Sequence, residues 1–243
     1  MNYRVTLAND YLTGKGVEFG ALHNPFTINR EQAEVVYADK FSKQTLLKKF
    51  KELQTIKESV VETDIFLDLN RDNLQTVADY NFDFFIANHV IEHLVNPLKF
   101  LDNLNSVMRT GNYLYLALPD KEYTFDRNRE LTTWNHLYQE YLENTTKLSR
   151  NHLEDFIINI TKDHIEDPAR KKKIYDDYHH WFKRFSIRQI HRQRSIHVHV
   201  WNQKTFDQFI AKAIKELKLD LTIVDRIDSS SNKHEMIYIL LKT

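Results

Sequence analysis

Short β-branched or aromatic runs alternate with stretches of helical periodicity along most of the chain. This alternation restricts the fold more than any other feature. The runs are Val17–Phe19, Glu34–Lys40, Val60–Leu69, Phe82–Leu94 and Asn112–Asp120. Between them Ser42–Lys57 reads as a polar helix. Pro97–Met108 reads as an amphipathic one, with Leu98, Leu101, Leu104, Val107 and Met108 at helical spacing. Strands separated by helices predict βαβ units and a parallel sheet. Several runs are nearly continuous in apolar residues, as strands buried on both faces are. The rhythm returns near the end: Thr205–Leu217 is an amphipathic helix, and Asp220–Asp228 and Glu235–Lys242 are strands. Their link, SSSNKH, is too short for a crossover, so they are antiparallel.

The pattern breaks between Lys121 and His199. We therefore expect a core over residues 1–120, a helical insertion over 121–199 acting as a substrate-binding lid, and a return to the core over 200–243. The insertion is polar and holds eight of the 12 histidines. Its segment Trp181–Arg194 carries five Lys/Arg and no acid, which reads either as a solvated helix or as a surface facing an anion. The whole chain nevertheless balances 34 Lys+Arg against 34 Asp+Glu. That neutrality argues against a protein built to grip nucleic acid or an anionic membrane. The absence of Cys excludes disulfides, iron–sulfur clusters, thiolate zinc sites and a Cys nucleophile. The opening MNYRVTLANDYLTGKG has no apolar core after its basic residue, and no run approaches the ~18 apolar residues that span a bilayer. A cytoplasmic protein is the expectation.

Glycine is scarce: Gly14, Gly16, Gly20 and Gly111 are the only four. A dinucleotide fingerprint needs G-x-G-x-x-G in the turn that opens a helix. Here only Gly20 falls in the turn after the first run, with Gly14 and Gly16 ahead of it. Neither NAD nor a P-loop ligand is expected. Acids suit a different ligand. Glu18 ends the first run, and Asp39 ends the second, where a carboxylate can take both hydroxyls of a ribose. Asp39 could alternatively cap the following helix. Asp68 ends the third run, where the base of such a nucleoside would lie.

At this point the chain resembles class I S-adenosylmethionine-dependent methyltransferases. The group is the methyltransferase-11-like one associated with polysaccharide and glycan biosynthesis. The resemblance rests on VEFGALHNPF (Val17–Phe26), VVYADK (Val35–Lys40), FDFFIANHVIEHLVNP (Phe82–Pro97) and LYLALPDKEYTFDRNRELTTWNHL (Leu114–Leu137). It implies an α/β fold: a Rossmann-like sandwich with a mostly parallel seven-stranded sheet ending in an antiparallel hairpin. It implies S-adenosylmethionine as cofactor, with Glu18 and Gly20 beside its methionine part and Asp39 on the ribose. Asp68 and Leu69 would flank adenine, and Asn88 and His89 would face the reacting centre. The chain departs from the group's glycine-rich loop, having G-A-L-H-N-P where many members have G-x-G-x-G.

Methyl transfer from a sulfonium needs alignment above all, and a hydroxyl acceptor must also lose a proton. Histidine is the natural base at neutral pH. His89, His136, His152 and His199 are candidates, with His136 and His152 preferred for their place after the fifth strand. Lys121, Arg127, Arg129 and Arg150 are expected to bind an anionic acceptor such as a phosphorylated or nucleotide-linked sugar. H-V-I-E-H (His89–His93) matches a zinc-protease pattern, but it follows a buried strand rather than lying within a helix. His197 and His199 alternate and could reach one ion. With no third ligand to assign, no metal is expected. The partner is then a small-molecule acceptor, without nucleic acid or membrane, in a monomer or homodimer. The competing readings are a nucleic-acid methyltransferase and a non-catalytic partner protein.

Overall fold

The computed structural model describes residues 3–163, 172 and 196–243. The basic segment Trp181–Arg194 and His164, His179, His180 and His191 lie outside these. Seven strands form one sheet: β1 (Gly14–Phe19), β2 (Ala33–Asp39), β3 (Ile65–Phe66), β4 (Phe84–Asn88), β5 (Tyr113–Pro119), β6 (Leu221–Ile227) and β7 (Glu235–Lys242). Their order is β3-β2-β1-β4-β5-β7-β6. The first five pair in parallel, and β7 is antiparallel to both β5 and β6. Among the described residues the α-helices of seven residues or more are α1 (Tyr3–Tyr11), α2 (Lys43–Lys49), α3 (Pro97–Val107), α4 (Trp134–Leu142), α5 (Arg150–Asp163) and α6 (Gln203–Glu216).

Alternation along the central strands divides the core into two layers. Leu114, Leu116 and Leu118 of β5, with Met236, Tyr238 and Leu240 of β7, face α3 and α6. Tyr115, Ala117, Ile237 and Ile239 face α1 and Phe26 on the other side. Both faces are covered, which is why these strands read as unbroken apolar runs. Asn96 caps α3 through Lys99 N–H, with Pro97 in the first turn where its missing N–H costs nothing. Asn202 and Thr205 form a reciprocal cap on α6.

The structure differs locally from the sequence reading in four places. Gly14 and Gly16 lie within β1 rather than before it. At Gly16 a Cβ would stand 2.0 Å from the Phe84 ring, so the glycine makes room for an aromatic on the paired strand. The third run contributes only two residues of strand. The expected helix over Ser42–Lys57 breaks after Lys49 and continues as 3₁₀ turns over Lys51–Ser59. Helix α1 was not expected, because its apolar residues form no stripe; only Leu7 and Ala8 are buried.

Candidate active site

Strand order reverses at β1, which has β2 on one side and β4 on the other. In open α/β sheets ligands bind at the carboxyl ends of such strands. Gly20 follows β1 with φ +63°, a conformation that favours glycine, and its N–H bonds Ala38 O at 2.9 Å. A Cβ there would meet only Val90 Cγ2, at 3.6 Å, so the backbone is open to a ligand. Glu18 is buried, and its two oxygens accept the Phe26 N–H at 3.1 and 3.0 Å, which folds the loop back on itself. Burial pushes the Glu18 carboxyl up to about 7, although Phe26, Arg30 and Arg4 pull the other way. Asp39 closes β2. Its Oδ1 accepts the Phe41 N–H at 3.0 Å, and burial raises its pKa. Asp68 pairs with Lys40 Nζ at 3.0 Å and accepts the Asn70 N–H at 3.2 Å. Leu69 packs on the main core. Asn88 ends β4, and its buried Oδ1 takes no hydrogen bond within the protein.

His89 follows with φ +54°, strained for a residue with a side chain. It lines a cleft of about 410 Å³ together with Arg4, Tyr123, Phe125, His197 and His234. Two side-chain groups form its walls. In the first, the Arg4 Nε donates to Glu235 Oε1 at 2.6 Å and His89 Nε2 lies 2.8 Å from Glu235 Oε2. His89 Nδ1 is 3.4 Å from Glu92 Oε1. Burial pulls the His89 pKa down, but the hydrogen bond to Glu235 and the nearby Glu92 carboxylate outweigh it and hold it at about 9. Burial likewise opposes charge on Glu235, yet His89 and Arg4 keep its carboxyl at about 2. His89 is therefore a cation at neutral pH.

In the second group, His197 Nδ1 bonds Asp126 Oδ2. Asp126 Oδ1 accepts Arg129 Nη1 at 2.9 Å. Burial works against the Asp126 charge, but His197 and Arg129 hold its pKa below the usual value. Arg129 is 1% exposed. It also donates to Asp155 Oδ2 at 2.8 Å, His197 O at 2.8 Å and Val198 O at 3.3 Å.

The structure thus separates the residues that sequence brought together. Arg129 is spent inside the protein and is not available to an acceptor. Lys121 Nζ donates to Arg129 O, and Arg150 Nε pairs with Glu154 at 2.6 Å. Arg127 is exposed. His136 and His152 lie 2.9 Å apart, nitrogen to nitrogen, in a separate cluster with Glu140 and His199, outside the cleft lining. His197 and His199 do not share a site: the first faces the cleft, and the second is buried against Val95 O at 3.1 Å. The H-V-I-E-H string follows β4 and makes one 3₁₀ turn, with Glu92 fully buried. Sequence reasoning missed Arg4, Asp126, His197 as a cleft residue, and Glu235. An acid near a histidine only after folding leaves no mark in spacing.

A family model described as a methyltransferase domain matches residues 9–213. The chain belongs to that family. It is a methyltransferase, and its methyl donor is S-adenosylmethionine. A search of curated proteins found no match. Among solved structures, the methyltransferase resembles a protein from Rhodobacter sphaeroides titled a putative Zn-dependent alcohol dehydrogenase. That match has a TM-score of 0.56 at 13% identity and covers 98% of this chain and 87% of the other. It also matches S-adenosylmethionine-dependent methyltransferases from Clostridium acetobutylicum and Aquifex aeolicus. Each has a TM-score of 0.46, at 9% and 11% identity, covering 97% and 98% of this chain and 86% and 88% of theirs. It spans about half of some longer matched chains, 48% and 50% of two of them. The strand ends fit the donor. Gly20 offers bare backbone, Asp39 a carboxylate at the end of β2, and Asn88 Oδ1 a buried acceptor lacking a donor. No helix among the described residues is long and apolar enough to cross a membrane.

Proposed function

We propose that this methyltransferase places a methyl group on an oxygen of a small polar, anionic acceptor. A phosphorylated or nucleotide-linked sugar of surface polysaccharide assembly fits that description. The observation that carries the reading is the Asp126–His197 pair on the same cleft as Arg4 and His89. A carboxylate on Nδ1 fixes the imidazole tautomer and leaves Nε2 to accept a proton. Arg4 and His89 line the cleft and keep N–H donors on one carboxylate, Glu235, where an anionic group of the acceptor would meet them.

Gly20, Asp39, Asp68, Leu69 and Asn88 would hold S-adenosylmethionine. The donor supplies a methyl carbon already activated by positive sulfur. His197 Nε2 would take the proton of the acceptor hydroxyl. Asp126 balances the imidazolium that results, and Arg129 keeps Asp126 ionised and in place. His89, already carrying its proton, orients the acceptor instead of accepting from it. His136 and His152, the bases preferred on sequence, are given no part in this step.

The test is an acceptor screen with sugar phosphates and nucleotide sugars, read as S-adenosylhomocysteine released. Turnover on at least one anionic hydroxyl compound, lost in His197→Ala, supports the reading. Turnover only on neutral or amine acceptors overturns it.

A further inference from the structure

Four side chains from three separate stretches of chain converge outside the cleft. His136 and Glu140 sit one turn apart on α4, so they share a face. His152 comes from the first turn of α5, and His199 from the segment that returns to the core. Each histidine presents Nε2. His136 Nε2 lies 2.9 Å from His152 Nε2, and Glu140 oxygens lie 3.5, 3.3 and 3.3 Å from His136, His152 and His199. The three ring planes cross steeply, at 86°, 62° and 77°, and one ligand atom from each of the four residues lies within 4.8 Å of the others.

Hydrogen bonding alone accounts poorly for this arrangement. His136 and His152 can share one proton, and His199 Nε2 can donate to Val95 O at 3.1 Å. Glu140 Oε2 then stays buried with no hydrogen-bond partner, although Glu140 is more than nine-tenths buried. Buried carboxylate oxygens are rarely left unpaired. A tetrahedral ion with bonds of about 2.0–2.1 Å separates its ligand atoms by about 3.3 Å, close to the four distances found. Three imidazoles and one carboxylate are a donor set of borderline softness, suited to zinc.

We propose that His136, Glu140, His152 and His199 bind one divalent zinc ion. Four protein ligands leave no open position, so the ion is structural. It ties α4 and α5 to the segment carrying His197, and thereby braces the cleft wall. His136, whose side chain is 45% exposed, gives the ion its entry. On binding, His152 Nδ1 carries its proton and gives up the long 3.4 Å contact from the Ser149 N–H.

The protein, stripped with chelator, is titrated with Zn²⁺ and separately with Co²⁺. The expected result is about one ion per chain, a raised melting temperature, and the visible absorption of tetrahedral Co²⁺. His136→Ala, at the exposed ligand, and Glu140→Gln should each weaken binding at least about tenfold. His234→Ala, at a different histidine cluster, should bind as wild type does. Fewer than about 0.1 ions per chain with no thermal shift overturns the proposal. So does binding that survives both ligand variants, or that His234→Ala abolishes.

Discussion

Asp126 joins His197 to Arg129: one carboxylate oxygen takes the imidazole Nδ1, and the other takes the guanidinium Nη1 at 2.9 Å. The histidine lies 71 residues beyond the aspartate in sequence. The pair sets a reactive ring at the cleft wall on a buried ionic base, and it makes two separable roles testable.

The first is chemical. His197→Ala should lower kcat by about 10²–10⁴-fold on a hydroxyl acceptor while leaving the Kd for S-adenosylmethionine unchanged. Rapid-quench measurement of methyl transfer, with calorimetry for the cofactor, separates the two effects. An unchanged kcat would remove His197 as the base.

Arg129 should behave as a structural residue. Arg129→Met leaves Asp126 and Asp155 without their cation, at a cost of about 3–5 kcal/mol for a broken buried pair. Arg127→Ala, on the exposed side of the same loop, should change stability by less than about 0.5 kcal/mol. Urea midpoints of the two variants decide the matter, and equal midpoints would be the contrary result.

Stability should also report the Arg4–Glu235–His89 group. The pKa of His89 is raised, so its contribution is complete below about 6.5 and fades as pH climbs through about 9. Glu235 is depressed, so its share is present above about 4.5 and is lost as pH falls toward about 2. The group is therefore at full strength between about pH 4.5 and 6.5. Between pH 6.5 and 9, wild type should lose about 2 kcal/mol that His89→Gln does not lose. Parallel urea curves for the two proteins across that range would refute the pairing.

Gly16→Ala tests the packing of β1 on β4. A Cβ 2.0 Å from the Phe84 ring forces the strands or the ring to move. Overpacking of this kind costs about 1–3 kcal/mol. A thermal midpoint equal to wild type would mean that the ring shifts freely.

The sheet was legible because buried parallel strands leave apolar runs, and because the link between β6 and β7 admits only one pairing. The edge was less so. The run that holds β3 mixes apolar residues with Glu62, Asp64 and Asp68, and only Ile65 and Phe66 pair, opposite the last two residues of β2. Gly20 and Asp39 could be found by position, as they end strands. The pairs that shape the cleft could not. Arg4 and Glu235 stand 231 residues apart, at opposite ends of the chain. Arg129 read as a free cation beside Arg127, because sequence shows charge but not the carboxylates that fold around it. His136 and Glu140 do carry a local signal, a histidine and an acid one helical turn apart. It gains meaning only when His152 and His199 arrive from elsewhere.

The most direct test of the account is titration calorimetry of the full chain with S-adenosylmethionine, using Gly20→Val and Asn88→Ala alongside. We expect one site of micromolar affinity in the wild type, weakened at least about tenfold in each variant, since about 1.4 kcal/mol of lost contact suffices. Absence of both binding heat and a thermal shift in the wild type would contradict a methyltransferase built on these strand ends.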